Sequence, residues 1–224
     1  MIDTATPFIL SLYYRYYNGS AEAKINKAEL IAFLQNLESF VIRRSFLRLR
    51  TRGYGLDFAE AIKKSLTLDD LIKYFISKGW PTDQEVRDNL HTFKIYIHEK
   101  KKANLILSEI ERALGHKEKV NLEELTIEHI LPQALTEEWR GMLGDNPETI
   151  HEKYVHTIGN LTLTGYNDDL GNLPFIAKKE VFQESKLSIN KYFDKHEEWN
   201  EKIILNRTDW ITKYVNRIWP RPKG

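Results

Sequence analysis

The sequence predicts an α+β protein that is mostly α-helical, with a small β-type core in its second half. Helical periodicity with capping signals runs through residues 1–116. Two short β-type runs follow, at 125–131 and 161–164, joined by a long polar connection, and helices are predicted again after the second run. Because a charged, polar stretch begins at residue 116, we place a domain boundary there, with a helical domain at 1–116 and a second domain at 117–224.

Capping signals mark the starts of helices in the first half. An N-cap residue with an acidic residue three positions later, the pattern of a capping box, occurs at Asn26 and Glu29, at Thr67 and Asp70, and at Thr82 and Glu85. Apolar residues at helical spacing follow the first two signals. Glycines end three predicted helices, at Gly19, Gly79 and Gly115. The first half is therefore expected to be helical throughout.

The second half mixes element types. Leu125, Ile127 and Ile130 predict a buried strand, and the alternation of Leu-Thr-Leu-Thr at 161–164 predicts a second strand. Between them, residues 133–157 are expected to form a long polar connection with Trp139 as an anchor. Helices are predicted from Phe175 to Ser185 and over the last forty residues.

Composition excludes several classes of protein. The 224 residues contain 33 Lys+Arg and 32 Asp+Glu, which excludes a highly basic coat protein but not a local basic patch. The absence of cysteine excludes disulfides, thiol catalysis and cysteine-ligated metal sites. No run approaches the ~18 apolar residues of a membrane span, and no secretory signal is evident. We therefore expect a cytoplasmic protein without a membrane partner.

An acidic residue and a histidine, Glu128 and His129, stand near the end of the first β-type run. A single histidine beside a strand is usually a packed or surface residue. Because adjacent side chains on a strand point to opposite faces, the two can share one metal site only if the strand bends or ends there. Pro132 ends it within a few residues. The pair fits a catalytic site at a strand end, and it also fits an ordinary strand terminus.

Two asparagines flank the second β-type run. Asn160 is either a turn former or an amide that ties the connecting loop to the histidine strand. Asn167 is either part of a turn or an oxygen ligand for Mg²⁺, for which Asp168 and Asp169 are rival ligands. The sequence alone leaves these alternatives open.

Basic residues cluster in three places where DNA contacts are candidates. The clusters are Arg43, Arg44, Arg48, Arg50 and Arg52; Lys100, Lys101 and Lys102; and Lys178 with Lys179. Solvation or ion pairing is the ordinary explanation of each. A phosphate contact becomes the sharper alternative for Lys178 and Lys179 because they follow the other candidate site residues in order.

The ordered set resembles the HNH, or ββα-metal (His-Me finger), endonucleases. Within that superfamily it is similar to the C-terminal nuclease domain of GmrSD-type modification-dependent restriction and phage-defence proteins. The matching stretches are Thr-Ile-Glu-His-Ile-Leu-Pro-Gln at 126–133, His-Thr-Ile-Gly-Asn-Leu-Thr-Leu at 156–163 and Asn-Asp-Asp-Leu-Gly-Asn-Leu-Pro-Phe at 167–175. The resemblance implies a ββα-metal nuclease core embedded in a helical domain.

Residue roles follow from that resemblance by position. His129 would be the general base, Glu128 and Asn167 would hold Mg²⁺ or another divalent cation such as Mn²⁺, and Asn160 would order the loop. Lys179 would contact the scissile phosphate or a neighbouring one. Arg43 and Arg44, with Lys178 and Lys179, would contribute to DNA binding.

Two departures from the family pattern matter. Glu stands where Asp is usual at position 128, and the spacing from His129 to Asn160 is longer than in compact members. Relatives also carry an N-terminal nucleotide-hydrolysing or sensing half. Because no Gly-rich phosphate loop occurs here, we expect that half to be a separate domain or subunit missing from this chain.

The predicted function is a Mg²⁺-dependent, nickase-type DNA endonuclease of a restriction or phage-defence system, and dependence on DNA modification is left open. The alternative is a catalytically inactive DNA- or protein-binding module of the same system. A third interpretation, a metallohydrolase that uses His151, Glu152 and His156, is disfavoured because the spacing exceeds that of His-Glu-x-x-His by one residue.

Overall fold

The computed structural model describes residues 3–20, 22–115, 120–165 and 170–223. It is 68% helical and has a small two-stranded antiparallel sheet, which confirms the predicted class. In chain order the helices and strands are α1 (Thr6–Asn18), α2 (Lys27–Phe46), α3 (Tyr54–Lys64), α4 (Leu68–Ser77), α5 (Asp83–Thr92), α6 (Ile95–Leu114), β1 (Thr126–His129), α7 (Glu137–Leu143), α8 (Pro147–Tyr154), β2 (Leu161–Thr164), α9 (Phe175–Glu184) and α10 (Glu201–Ile218). Short 3₁₀ turns lie at Asp3–Ala5, Leu122–Glu124, Ile158–Asn160 and Ser188–Lys195.

The chain divides into two compact units, the first of which comprises Met1–Val86 with Trp219–Gly224. Aromatic rings fill the core of this unit. Phe40 stacks on Phe75 with ring centroids 4.2 Å apart, and Trp80 meets both rings edge-on. Such aromatic pairs contribute beyond the area they bury.

The predicted helix signals act as expected. Asn26 and Glu29 form a reciprocal capping box at the start of α2, and Thr67 and Asp70 form another at the start of α4. Each box satisfies backbone N–H groups that have no partner within the helix. Gly79, which follows α4, has a φ of +81°, a conformation that glycine adopts without strain.

The second unit, Arg87–Ile218, contains the sheet and the helices around it. Its core includes Ile130, Trp139, Phe175 and Trp199, and the Phe175 and Trp199 rings stack with centroids 5.5 Å apart. Helix α10 packs so closely on the turn Ile158–Asn160 that a Cβ at Gly159 would lie 2.5 Å from the Ile204 carbonyl oxygen. That close approach explains the glycine before Asn160.

Two sequence expectations need correction. The segment 133–157 is not an irregular connection, because it contains α7 and α8. Thr136 caps α7 with its hydroxyl, and Pro147 occupies the first turn of α8, a position that suits proline. Strand β1 also covers only Thr126–His129 of the predicted 125–131.

The position of α6 bears on the predicted domain boundary at 116–117. This helix, assigned from the sequence to the first domain, lies in the second compact unit. Compactness does not test which segments fold independently, so the boundary stays a prediction. Within the described ranges, no helix combines the length and apolar character needed to cross a membrane.

Candidate functional site

The two strands place the conspicuous Glu-His pair on opposite faces of the sheet. Their register pairs Glu128 with Thr162 and His129 with Leu161. The Glu128 carboxylate meets the Lys178 ammonium group on α9, whereas the His129 ring meets Tyr96 on α6. The Glu128 carboxylate and the His129 imidazole therefore lie in separate environments.

His129 belongs to a pair of histidines, which we call the imidazole pair. Nε2 of His129 lies 3.2 Å from Nδ1 of His156, and the two rings meet edge-on. Tyr96 packs edge-on against His129, with ring centroids 4.3 Å apart. Only 4% of His129 is exposed. The His129 ring is therefore almost fully enclosed by neighbouring side chains.

Both imidazoles are held in the neutral form. Burial has the largest effect, and the neighbouring basic groups of His156, Lys178 and Lys100 add to it in lowering the pKa of His129 to about 3. Burial and then Lys94 lower the pKa of His156. A neutral imidazole carries one N–H and one lone pair, so each ring presents both a donor and an acceptor.

Asn160 fixes the chain that follows His129. Its backbone carbonyl accepts from Ile130 N–H at 3.0 Å, and its Oδ1 accepts from Leu131 N–H at 2.8 Å. Its Nδ2 donates to the carbonyls of Leu131 and Val155, both at 2.9 Å. The Trp199 indole N–H donates to the same Oδ1 at 2.9 Å. This fully buried amide, the asparagine clamp, joins the loop before β2 to the end of the histidine strand.

Glu128 and Lys178 form a buried ion pair. The Lys178 ammonium group donates to Glu128 Oε1 at 2.5 Å and to the His129 carbonyl at 2.6 Å, and the lysine has no exposed surface. Burial raises the pKa of Glu128 and lowers that of Lys178, while the opposite charge of each partner counters the shift. The lysine therefore occupies one oxygen of the carboxylate that the resemblance assigned to a metal.

The other predicted phosphate and DNA contacts also have partners within the protein. The Lys179 ammonium group donates to the carboxylate of Glu197 at 2.7 Å and to the His196 carbonyl. Arg43 is fully buried in the first unit, where it binds backbone carbonyls and Asp83. Arg44 donates to Tyr54 and to backbone carbonyls after α4. These side chains stabilise the fold in the described arrangement, and their proposed contacts with DNA stay predictions.

The described residues do not form a metal centre by themselves. Among them, no group of three or more histidine, aspartate or glutamate side chains is arranged to hold an ion. That observation also leaves the interpretation based on His151, Glu152 and His156 without geometric support, since the Nε2–H of His151 donates to the Pro132 carbonyl instead, at 2.8 Å. Asn167, Asp168 and Asp169 lie outside the described residues.

Sequence reasoning missed two members of the site. His156 and Tyr96 both pack on His129, yet neither was singled out as acting on it. His156 lies four positions before Asn160 in the sequence, and this short separation could have indicated that it lies near the site. Tyr96 lies on helix α6, 33 positions before His129 in the sequence, and no local sequence pattern marks it.

Comparison with known protein families matches residues 80–214 to the C-terminal domain of GmrSD restriction endonucleases. Comparison with curated proteins gave no match. The matched segment covers more than half of the 224 residues and includes the imidazole pair, the asparagine clamp and the Glu128–Lys178 ion pair. The chain therefore belongs to the family of C-terminal domains of GmrSD restriction endonucleases.

Proposed function

We propose that this chain is a DNA endonuclease domain of a restriction or phage-defence system, with His129 as the general base of phosphodiester hydrolysis. The observation that carries the proposal is a neutral imidazole held at the end of β1 by the asparagine clamp and by His156. Membership of the GmrSD family supports DNA as the substrate. The HNH type of mechanism remains part of the proposal, drawn from the resemblance of the motifs.

The proposed reaction is hydrolysis of one phosphodiester bond. His129 accepts a proton from water as the water oxygen attacks phosphorus, and the bond from phosphorus to the 3′ oxygen breaks. The leaving oxygen takes up a proton from solvent, which gives a 3′ hydroxyl and a 5′ phosphate. A bound phosphodiester anion near the ring would favour the imidazolium form and so offset the cost of burying that charge. One such site cuts one strand, so a single copy should nick DNA.

Basic residues of α6 offer a phosphate contact near the imidazole pair. Lys100 is exposed and its ammonium group lies over the Tyr96 ring, 4.9 Å from the centroid. It is close enough to His129 to lower the pKa of that ring. We therefore assign phosphate binding to Lys100 in preference to Lys178 and Arg43, whose charged groups are buried.

Lys100→Gln is expected to weaken DNA binding and to reduce the slope of log affinity against log salt by about 0.9, the change for one lost phosphate contact with duplex DNA. Fluorescence anisotropy across a salt series measures the slope. Lys101→Gln is the matched control, because Lys101 is an exposed neighbour that exerts no resolved effect on His129. Equal slopes for wild type and Lys100→Gln would contradict the assignment.

Metal dependence is a further part of the proposal. Mg²⁺ or Mn²⁺ would neutralise charge that develops on the phosphate and the leaving oxygen. Among the described residues, the Glu128 carboxylate fits this role poorly because Lys178 already binds one of its oxygens. The proposal of a metal therefore depends on Asn167, and on a rearranged or shared Glu128, as the resemblance implies.

Incubation with supercoiled plasmid tests the proposed function. We expect open-circular product in Mg²⁺ and none in excess EDTA. Parallel reactions on modified and unmodified plasmid separate a modification requirement from general nuclease activity. DNA binding without cleavage of either plasmid would favour the inactive binding module, and nicking that persists in EDTA would exclude the metal. A nucleotide-hydrolysing or sensing partner stays part of the proposal.

A further inference from the structure

His156 is fixed in place independently of its contact with His129. Its ring is nearly parallel to the Tyr96 ring, with centroids 5.8 Å apart and planes 9° apart. The Tyr96 backbone N–H donates to the His156 carbonyl at 3.2 Å. The asparagine clamp holds the nearby chain through the Val155 carbonyl. A ring supported on its face and through its backbone has a defined direction for Nδ1, which points at Nε2 of His129.

We propose that His156 is a positioning residue, whose Nδ1 accepts the Nε2–H of His129 and leaves Nδ1 of His129 as the nitrogen that takes the proton from water. This inference rests on the proposed function only in the last step. The hydrogen bond itself is a property of the folded chain. A histidine ring uses one nitrogen for its orienting contact, and that contact decides which nitrogen keeps the lone pair.

The chemistry of neutral imidazole selects the direction of this hydrogen bond. If His129 donates, both rings carry their proton on Nε2, which is the tautomer that neutral histidine prefers in water. If His156 donates instead, both rings must carry their proton on Nδ1, the less stable tautomer. Both arrangements satisfy the 3.2 Å contact, so the intrinsic preference of the two rings adds up in favour of His129 as the donor. The same arrangement leaves Nε2–H of His156 available to a phosphate oxygen.

A purely structural role for His156 makes different predictions. Stacking on Tyr96 would stabilise the site whatever atoms the ring contains. Two variants separate the roles. His156→Phe keeps an aromatic ring for Tyr96 but removes the acceptor nitrogen, and His156→Asn gives up the ring but can place an amide oxygen near the position of Nδ1.

The first measurement is the tautomer of His129, read from ¹⁵N–¹H correlations of the histidine rings in the full chain. We expect a protonated Nε2 and an unprotonated Nδ1 in the wild type, and a mixture of tautomers in His156→Phe. The reverse tautomer in the wild type, or an unchanged tautomer in His156→Phe, overturns the proposal. Because this measurement on the wild type requires neither a variant nor cleavage, a variant that fails to fold does not remove the test.

The second measurement is cleavage at saturating and limiting DNA. By analogy with the orienting partners of metal-ligating histidines, whose removal costs about 10- to 100-fold, we expect His156→Phe to lower kcat by about that factor, with KM little changed. His156→Asn should recover a large part of kcat. Equal kcat in wild type and His156→Phe, or equal loss in both variants, overturns the positioning role. If the tautomer is as expected but His129→Ala still cleaves DNA, the proposed function fails while the hydrogen bond stands.

Discussion

His129→Ala is expected to lower the rate of DNA cleavage by about 10²–10⁴-fold, the usual contribution of a general base. The imidazole is neutral and therefore able to accept a proton, and its position is fixed by the strand pairing and by His156. Removing it leaves water to be deprotonated by solvent. Single-turnover cleavage of an end-labelled duplex measures the chemical step, and a binding titration should give an affinity close to that of wild type.

His98→Ala is the matched control for this substitution. His98 is an exposed histidine in the same unit, and its ring packs on Phe93 with centroids 5.7 Å apart. The His98→Ala protein should cleave DNA at the wild-type rate. A fall in rate caused equally by both substitutions would show a general effect of losing a histidine. A folded His129→Ala protein that cleaves DNA as fast as wild type would show that His129 is not the general base.

Lys178→Met is expected to destabilise the protein by about 3–5 kcal/mol, the cost of leaving one partner of a buried ion pair without the other. Lys178 is fully buried and its ammonium group contacts the Glu128 carboxylate and the His129 carbonyl. Loss of the ammonium group leaves a carboxylate and a carbonyl without their donor. Urea unfolding followed by circular dichroism measures the change in the free energy of unfolding.

The double variant Glu128→Gln with Lys178→Met completes the test of this pair. Because it removes both charges, it should be clearly more stable than Lys178→Met alone, and the coupling between the two substitutions should be large. If Lys178 instead bound DNA phosphates, Lys178→Met would weaken DNA binding with little change in unfolding. Additive effects of the two single substitutions would contradict a structural ion pair.

Elements of the fold that depend on residues close together in the sequence could be predicted. The capping boxes at Asn26 and Thr67 were readable because a cap depends on residues three positions apart. Strand β2 was readable from its alternation. Helices α7 and α8 were missed because their polar composition resembles that of a loop, although Thr136 and Pro147 gave start signals.

Burial of charged side chains was not recognised from the sequence. Lys178 was predicted to contact DNA phosphate, with a solvated helical face as the ordinary alternative, yet it lies three positions after Phe175 and four before Phe182, on the buried face of α9. Arg43 lies three positions after Phe40 and three before Phe46 on α2, and is also buried. The helical spacing carried this information. The buried charges are paired with Glu128 for Lys178 and with Asp83 for Arg43. Both partners are distant in the sequence, so helical spacing could not reveal them.

Nicking of supercoiled plasmid by His129→Ala beside wild type, at equal protein concentration and in Mg²⁺, tests the central claim most directly. Circular dichroism should first show that both proteins have the same fold. If His129 is the general base, open-circular DNA should accumulate with the wild type and almost none should form with His129→Ala over the same period. Equal accumulation of open-circular DNA by the two proteins would contradict that role, because hydrolysis would then proceed without the imidazole at the end of β1.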